Sequence, residues 1–456
     1  MPKLVQNYKF LTIFALVLII AGADLYKNHS FDESELLSPK EPKITTIFEG
    51  LDYLNEIRSS VGLTKFKESQ NLKISAQNHA NYLDKNSIKA EDNAHGESQA
   101  LPHFTGQNPA ERAVFAGYNS SFVSENLSHN QINFNSSIDS LMSAIYHRFG
   151  FLNYASDEIG VAQSGKIYVY NMGNHELNLL CKSGGDFGKS GYYVTGICSD
   201  KSTKIKEQTF KNLTLPNEPK FLLYPSKLPA LAYFGGEIPD PLPACKITAN
   251  PVSVWANDNL SLKMMDFKIF DGANEIKDTI LLDKNSDINA KFSQNQFALF
   301  AKNVFEFDKT YRAKFSYILN GKSSDLEWEF HTKTPEFSYF VLSGDEKIGV
   351  KSEHFYDVFI KPKHCNDTFS RYTYTTSPLL KAKVEYVGLN TIRLFISGFK
   401  GDKVDISLDN GVKFSVVLTT SSKDSFNILG LKPSFVILTA LLAILAVILI
   451  FSLIKK

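Results

Sequence analysis

Apolar residues at Ile44, Ile47, Phe48, Leu51 and Leu54 follow the i, i+3, i+4, i+7 spacing of an amphipathic helix. Leu72, Ala76, Ala80 and Leu83 repeat it, and Ile138, Leu141, Met142 and Ile145 repeat it again. Between them, Asn108-Pro109-Ala110-Glu111 reads as an N-cap, a proline at N1 and a reciprocating Glu at N3, with Gly117 as the stop. The period then changes. Ile159 to Ala162 and Ile167 to Tyr170 flank Ser164-Gly165, the signature of a hairpin. Helices around a small sheet are therefore expected from residue 44 to about 180.

After a Pro-rich stretch, EIPDPLPAC (237–245), the helical pattern disappears. Tyr311, Ala313, Phe315 and Tyr317 alternate with polar residues, Asn320-Gly321 turns the chain, and Leu326, Trp328 and Phe330 return. This is a half-buried antiparallel hairpin, and the density of such runs predicts an Ig-like sandwich over 241–335. The same grammar recurs in a second β module at 336–425. There Val404, Ile406 and Leu408 precede Asn410-Gly411, and Val412, Phe414 and Val416 follow it.

Both ends read as targeting segments. Lys3 and Lys9 precede the apolar run Phe10–Ala21, and Ala21-Gly22-Ala23 forms an A-x-A site, so residues 1–23 read as a secretory signal and 24–43 as a linker. Ser434–Ile454 carries no charge and has the ~20-residue length of a membrane-spanning helix. Lys455 and Lys456 follow it and would hold the C-terminus in the cytoplasm. The expected protein is thus single-pass, with the membrane as partner and most of the chain extracytoplasmic.

Composition narrows the chemistry. Forty-nine basic residues against 48 acidic ones leave a net charge of +1 over 456 residues, which gives no electrostatic footprint for nucleic acid. Four cysteines exclude a disulfide-dense scaffold. Cys181 and Cys198 bracket a Gly-rich stretch and are expected to form a disulfide worth roughly 3 kcal/mol; Cys245 and Cys365 either pair or remain two buried thiols. No GxSxG, Walker loop, HExxH or EF-hand loop is present. The candidate functional residues are His95, Glu97, Glu125 and His147. On a helix continued from Ile138, His147 falls opposite the apolar stripe, either solvated or facing a cleft.

The stretches LDYLNEIRSSVGLTKF, AQNHANYLDKN, AHGE, FTGQNPAERAVFAGY, SENLS, YHRFGFL and EIGVAQSGKIYVYNMG occur in the order found in the CAP superfamily (cysteine-rich secretory proteins, antigen 5, pathogenesis-related proteins). The chain resembles its bacterial SCP-like form over residues 46–173, with a weaker tail to Pro243. That resemblance implies an α-β-α sandwich over residues 44–240, so the expected fold is α+β, with the two all-β modules and the transmembrane helix read above following it. It also implies a cleft holding two histidines and two acidic residues. His95 matches the first histidine, Glu125 the glutamate of the usual G-E-N, and His147 the histidine of H-R. Ser124 stands in place of the usual glycine. Ser143 and Ala144 stand where the second acidic residue is usual, leaving Glu97 as the candidate for that role.

His95, Glu125 and His147 would suit a divalent metal such as Zn²⁺, with water completing the coordination; without metal they form a hydrogen-bonding cluster. Three functions follow. The first is a cleft that binds a lipid, a glycan or another ligand, with or without a divalent metal. The second is a metal-dependent hydrolase with Glu125 as general base. The third is a structural surface protein whose cleft is vestigial.

Overall fold

The computed structural model describes residues 33–42, 49–188, 190–215, 218–378 and 380–422. The expected signal at 1–23 and membrane helix at 434–454 lie outside them. Among the described residues, no helix is long and apolar enough to cross a membrane. The longest, Gln70–Lys85, has 16 residues, about 24 Å against ~30 Å of hydrocarbon. The fold class is cut back accordingly, to an α+β domain with β-rich regions and no membrane span among the described residues. The membrane as partner and the single-pass location with a cytoplasmic C-terminus both rested on that span, and both are withdrawn.

The chain forms two compact units, Lys43–Thr334 with Pro362–Asp367, and the remainder. The first opens with α1 (Gly50–Ser60), β1 (Lys67–Glu68), α2 (Gln70–Lys85), α3 (Pro109–Phe115), β2 (Ser124–Ser128), α4 (Phe134–Ser143), α5 (Ile145–Phe151), β3 (Glu158–Ser164), β4 (Ile167–Gly173), α6 (His175–Lys182) and α7 (Glu207–Thr214). The sheet order is β1-β3-β4-β2, with β1 parallel to β3 and the other neighbours antiparallel. Period two sorts β4 between two layers. Ile167 and Val169 pack with Ala76, Ala80 and Leu83 of α2, whereas Tyr168, Tyr170 and Met172 pack with Leu54, Ile138 and Met142 of α1 and α4. An α-β-α sandwich results. At Gly160 a side chain would collide with the backbone of α2, its Cβ falling 2.0 Å from Leu72 C and Lys73 N.

The helix expected to run from Ile138 through His147 is two helices. Ala144 breaks it with φ −80° and ψ 117°, so a helical wheel begun at Ile138 does not fix the direction of His147.

The β region of this unit starts upstream of the Pro-rich stretch. Strand Phe221–Tyr224 pairs with Val252–Ala256, which pairs with Gln296–Ala301 and, through it, Thr279–Leu282. A second sheet contains Asn274–Glu275, Leu262–Asp271, Thr310–Leu319 and Lys322–His331. Asn320-Gly321 makes its turn with φ of 52° and 77°. Val252, Val254 and Leu299 face this second sheet, against Phe267 and Phe315. Leu222, Tyr224, Trp255, Ala298 and Phe300 turn the other way and join the core of the α-β-α layer. Burial on both faces explains why VSVWA and QFALFA are apolar nearly throughout. Cys181 pairs with Cys198, and Cys245 with Cys365.

The second unit is a sandwich of two four-stranded sheets around Phe340, Val358, Ile392, Val404, Ile406, Phe414 and their neighbours. Residues 33–42 belong to it, with Leu37 bridging to Ile348 and Lys40 to Tyr339. Ser407 faces Lys413 across the Asn410-Gly411 turn.

Candidate functional site

The N-cap and proline that start α3 place Arg112 at its midpoint, fully buried. Asn108 Oδ1 accepts from Glu111 N at 3.0 Å. Arg112 Nη2 donates to both oxygens of Glu125, at 2.8 Å each, and Nη1 donates to the His95 carbonyl at 3.1 Å. Glu125 itself comes from β2, the edge strand, and its side chain is 1% exposed. It also accepts from His95 Nδ1 at 3.0 Å. Burial by itself would raise the Glu125 carboxyl, but His79, Arg112 and His95 outweigh it and hold the group down at about 2.

His79 lies on the buried face of α2 and is wholly enclosed. Its Nδ1 donates to Glu97 Oε1 at 2.9 Å and its Nε2 to the Ala94 carbonyl at 2.8 Å. Glu97 accepts in addition from Thr105 N at 2.7 Å. Glu97 is thus a buried brace for the loop that carries His95, with no exposed surface of its own to offer a ligand.

His147 sits in the first turn of α5. Its Nδ1 donates to Glu237 Oε2 at 2.9 Å. Glu237 also accepts from Ile145 N at 2.6 Å and Tyr146 N at 3.1 Å, so one carboxylate caps α5 and orients the histidine. The acidic partner missing beside Ser143 and Ala144 is therefore supplied from 90 residues downstream, and Glu97 does not take that place. His95 and His147 face each other with ring centroids 6.3 Å apart and planes 26° from parallel. Their side chains are 40% and 14% exposed, against 1% for both carboxylates behind them.

Residues 51–168 match the family model of the cysteine-rich secretory protein family, CAP. The chain carries a CAP domain. A search of curated proteins gave no match. Among solved structures, the chain is similar to an extracellular protein containing a SCP domain from Bacillus anthracis str. Ames, at 19% identity over 27% of this chain and 38% of that one, with a TM-score of 0.24. It is also similar to a cysteine-rich secretory protein from Staphylococcus aureus subsp. aureus Mu50, at 18% identity over 27% and 36%, with a TM-score of 0.22. The chain spans less than two fifths of the length of either.

The histidine pair of the CAP domain opens into a groove of about 610 Å³, walled by Leu127, His129, Leu141 and the segment Gly235–Pro239. Each ring uses Nδ1 on a carboxylate, which leaves Nε2 as the atom for a ligand. A metal finds too few donors. Glu125 is committed to Arg112 and His95, and among the described residues no three His, Cys, Asp or Glu side chains are placed to hold an ion. The expected set His95, Glu125 and His147 supplies two imidazoles backed by carboxylates, and no third ligand.

His79, Arg112 and Glu237 were missed from sequence. His79 carried a signal: three residues after Ala76 and four before Leu83, it shares the apolar stripe of α2, and a buried histidine requires partners. Glu237 carried none, because it lies in a Pro-rich stretch that reads as a connector.

Proposed function

We propose that the CAP domain is a ligand-binding module whose grip is the Nε2 atoms of His95 and His147. The observation that carries this reading is the matched construction of the two rings, each with Nδ1 held by a carboxylate that is itself fixed by other donors. Such anchoring sets the tautomer and ring plane before a ligand arrives, so little ordering entropy remains to oppose binding.

Hydrolysis through a metal-bound water with Glu125 as base draws no support from this arrangement. A carboxyl held at about 2 is a weak base at neutral pH, and both of its oxygens already accept hydrogen bonds.

The test is histidine-selective NMR of the full chain during titration with lipid micelles, neutral oligosaccharides or Zn²⁺. One ligand class should shift the His95 and His147 ring signals together, and His95→Ala with His147→Ala should abolish its binding. If no class moves either ring, the binding reading is wrong.

A further inference from the structure

The sandwich of the second unit has two sheets and so four strand edges. Three of them are guarded. Along Lys347–Val350, Leu37 N donates to the Lys347 carbonyl and Gly349 N to the Leu37 carbonyl, at 3.0 Å each. Along Ser338–Leu342, Lys40 and Tyr339 exchange both of their backbone bonds at 2.8 Å. The third edge, Lys381–Gly388, carries Lys381, Lys383 and Glu385 and is broken by a bulge between Tyr386 and Gly388. Covering segments, charges and bulges are the devices that keep a strand edge from pairing with another chain.

The fourth edge, Tyr372–Thr376, has none of them. Its sequence, YTYTT, is uncharged and built from residues that favour strands, and four of the five are exposed. Asp409 N donates to the Arg371 carbonyl at 3.1 Å, and Ser377 N to the Lys403 carbonyl at 2.9 Å. The odd-numbered residues therefore bond inward, to Lys403–Leu408. In an antiparallel ladder the residues between them turn N–H and C=O outward, here Tyr372, Tyr374 and Thr376. Among the described residues, no further backbone bond reaches these groups.

We propose that this edge pairs with the same edge of a second copy of the chain, antiparallel about a two-fold axis at Tyr374. That register satisfies every outward group. Tyr374 meets its own counterpart and Tyr372 meets Thr376, each pair exchanging two backbone bonds. On the outer face Thr373 meets Thr375, and Arg371 meets Ser377, so no like charges are opposed. The other long edge of the molecule, Lys322–His331, is the opposite case. Asp325, Glu327 and Glu329 share one face there, and self-pairing about Glu327 would set acid against acid. The pairing joins two four-stranded sheets into one and does not depend on what the cleft binds.

So short a contact is small beside the ~1,200–2,000 Å² of a stable interface, so the dimer should be weak and depend on concentration. In sedimentation velocity of the full chain from about 5 to 500 µM, the weight-average mass should rise toward twice the monomer's. Between those concentrations, hydrogen exchange should slow at least about fivefold at the amides of Tyr372, Tyr374 and Thr376 and stay unchanged at Thr373 and Thr375, which the ladder already protects. Thr373→Lys with Thr375→Lys opposes like charges twice and should weaken the dimer about tenfold. Thr373→Glu with Thr375→Lys opposes unlike charges and should match or exceed wild-type affinity. A monomer throughout, or association that the two-lysine variant leaves unchanged, would overturn the pairing. Protection of the three outward amides that does not vary with concentration would overturn it too, because another part of the chain would then cover the edge.

Discussion

Glu125 is where electrostatics and stability meet. Its folded pKa of about 2 lies below its ordinary 4.5, so between those values the unfolded chain binds more protons than the folded one. The stabilisation is therefore complete above about pH 4.5 and is lost as the pH falls through 2. A shift of that size corresponds to about 3 kcal/mol. Glu125→Gln should remove this contribution and leave Arg112 and His79 short of a buried counter-charge, which costs about 3–5 kcal/mol when one partner is taken away. Urea unfolding at pH 3, 5 and 7 should show the difference between wild type and variant shrinking as the pH falls. A constant difference across that range would show that Glu125 is not held ionised by its neighbours.

At the scale of elements, two contacts decide whether the cleft forms. The first is the seat of α2 on the sheet. Any side chain at position 160 meets the α2 backbone, which cannot swing aside as a flexible side chain could. Gly160→Ala should cost about 3 kcal/mol, the upper end for overpacking, whereas Gly344→Ala, where a Cβ meets nothing within 4 Å, should stay within about 0.5 kcal/mol. Equal melting temperatures for the two variants would contradict this close approach. The second contact is the cap on α5. Glu237→Ala orphans the amides of Ile145 and Tyr146 and frees the His147 ring, and should cost about 1–2 kcal/mol. Glu237→Gln keeps an acceptor and should cost less; the reverse order in thermal melts would mean that the cap does not hold α5. These elements were legible in the sequence to different degrees. The stripe of α2, the Asn108-Pro109 start, and the turns at Gly165 and Asn320-Gly321 follow from local rules, because periodicity and backbone conformation are local properties. The break at Ala144 is not local. The helix that restarts there is capped at Ile145 N by a carboxylate 92 residues further along the chain, and no helical period contains that information. His95, Glu125 and His147 could be placed by resemblance, but the partners that orient them could not.

For the whole of the first unit, the question is whether the CAP layer and the adjoining β-sandwich are separable. Leu222, Tyr224, Trp255, Ala298 and Phe300 are buried in the same core as Leu54, Ile138 and Phe149. Trp255 packs edge-on against Phe149 and Tyr154, at centroid distances of 5.4 and 5.2 Å. Arg148, fully buried and next to the cleft histidine, spends its guanidinium on the far side of that boundary. Nη1 donates to the Pro251 carbonyl at 2.6 Å and to Ser253 Oγ at 2.9 Å, and Nη2 donates to Asn250 Oδ1 at 2.6 Å. Opening the boundary would therefore expose two aromatic faces and leave a cation without its acceptors. Each of those losses is large against the 5–15 kcal/mol that holds a typical domain folded. The two layers should accordingly open together. Native-state hydrogen exchange in low denaturant should give the amides of β3 and β4 and those of Val252–Ala256 one common opening free energy. Arg148→Ala should lower both by the same amount, about 3–5 kcal/mol for acceptors and packing lost at a buried charge. Two distinct opening energies, with only the CAP strands responding to Arg148→Ala, would show instead that the β-sandwich folds by itself and merely lends Glu237 to its neighbour.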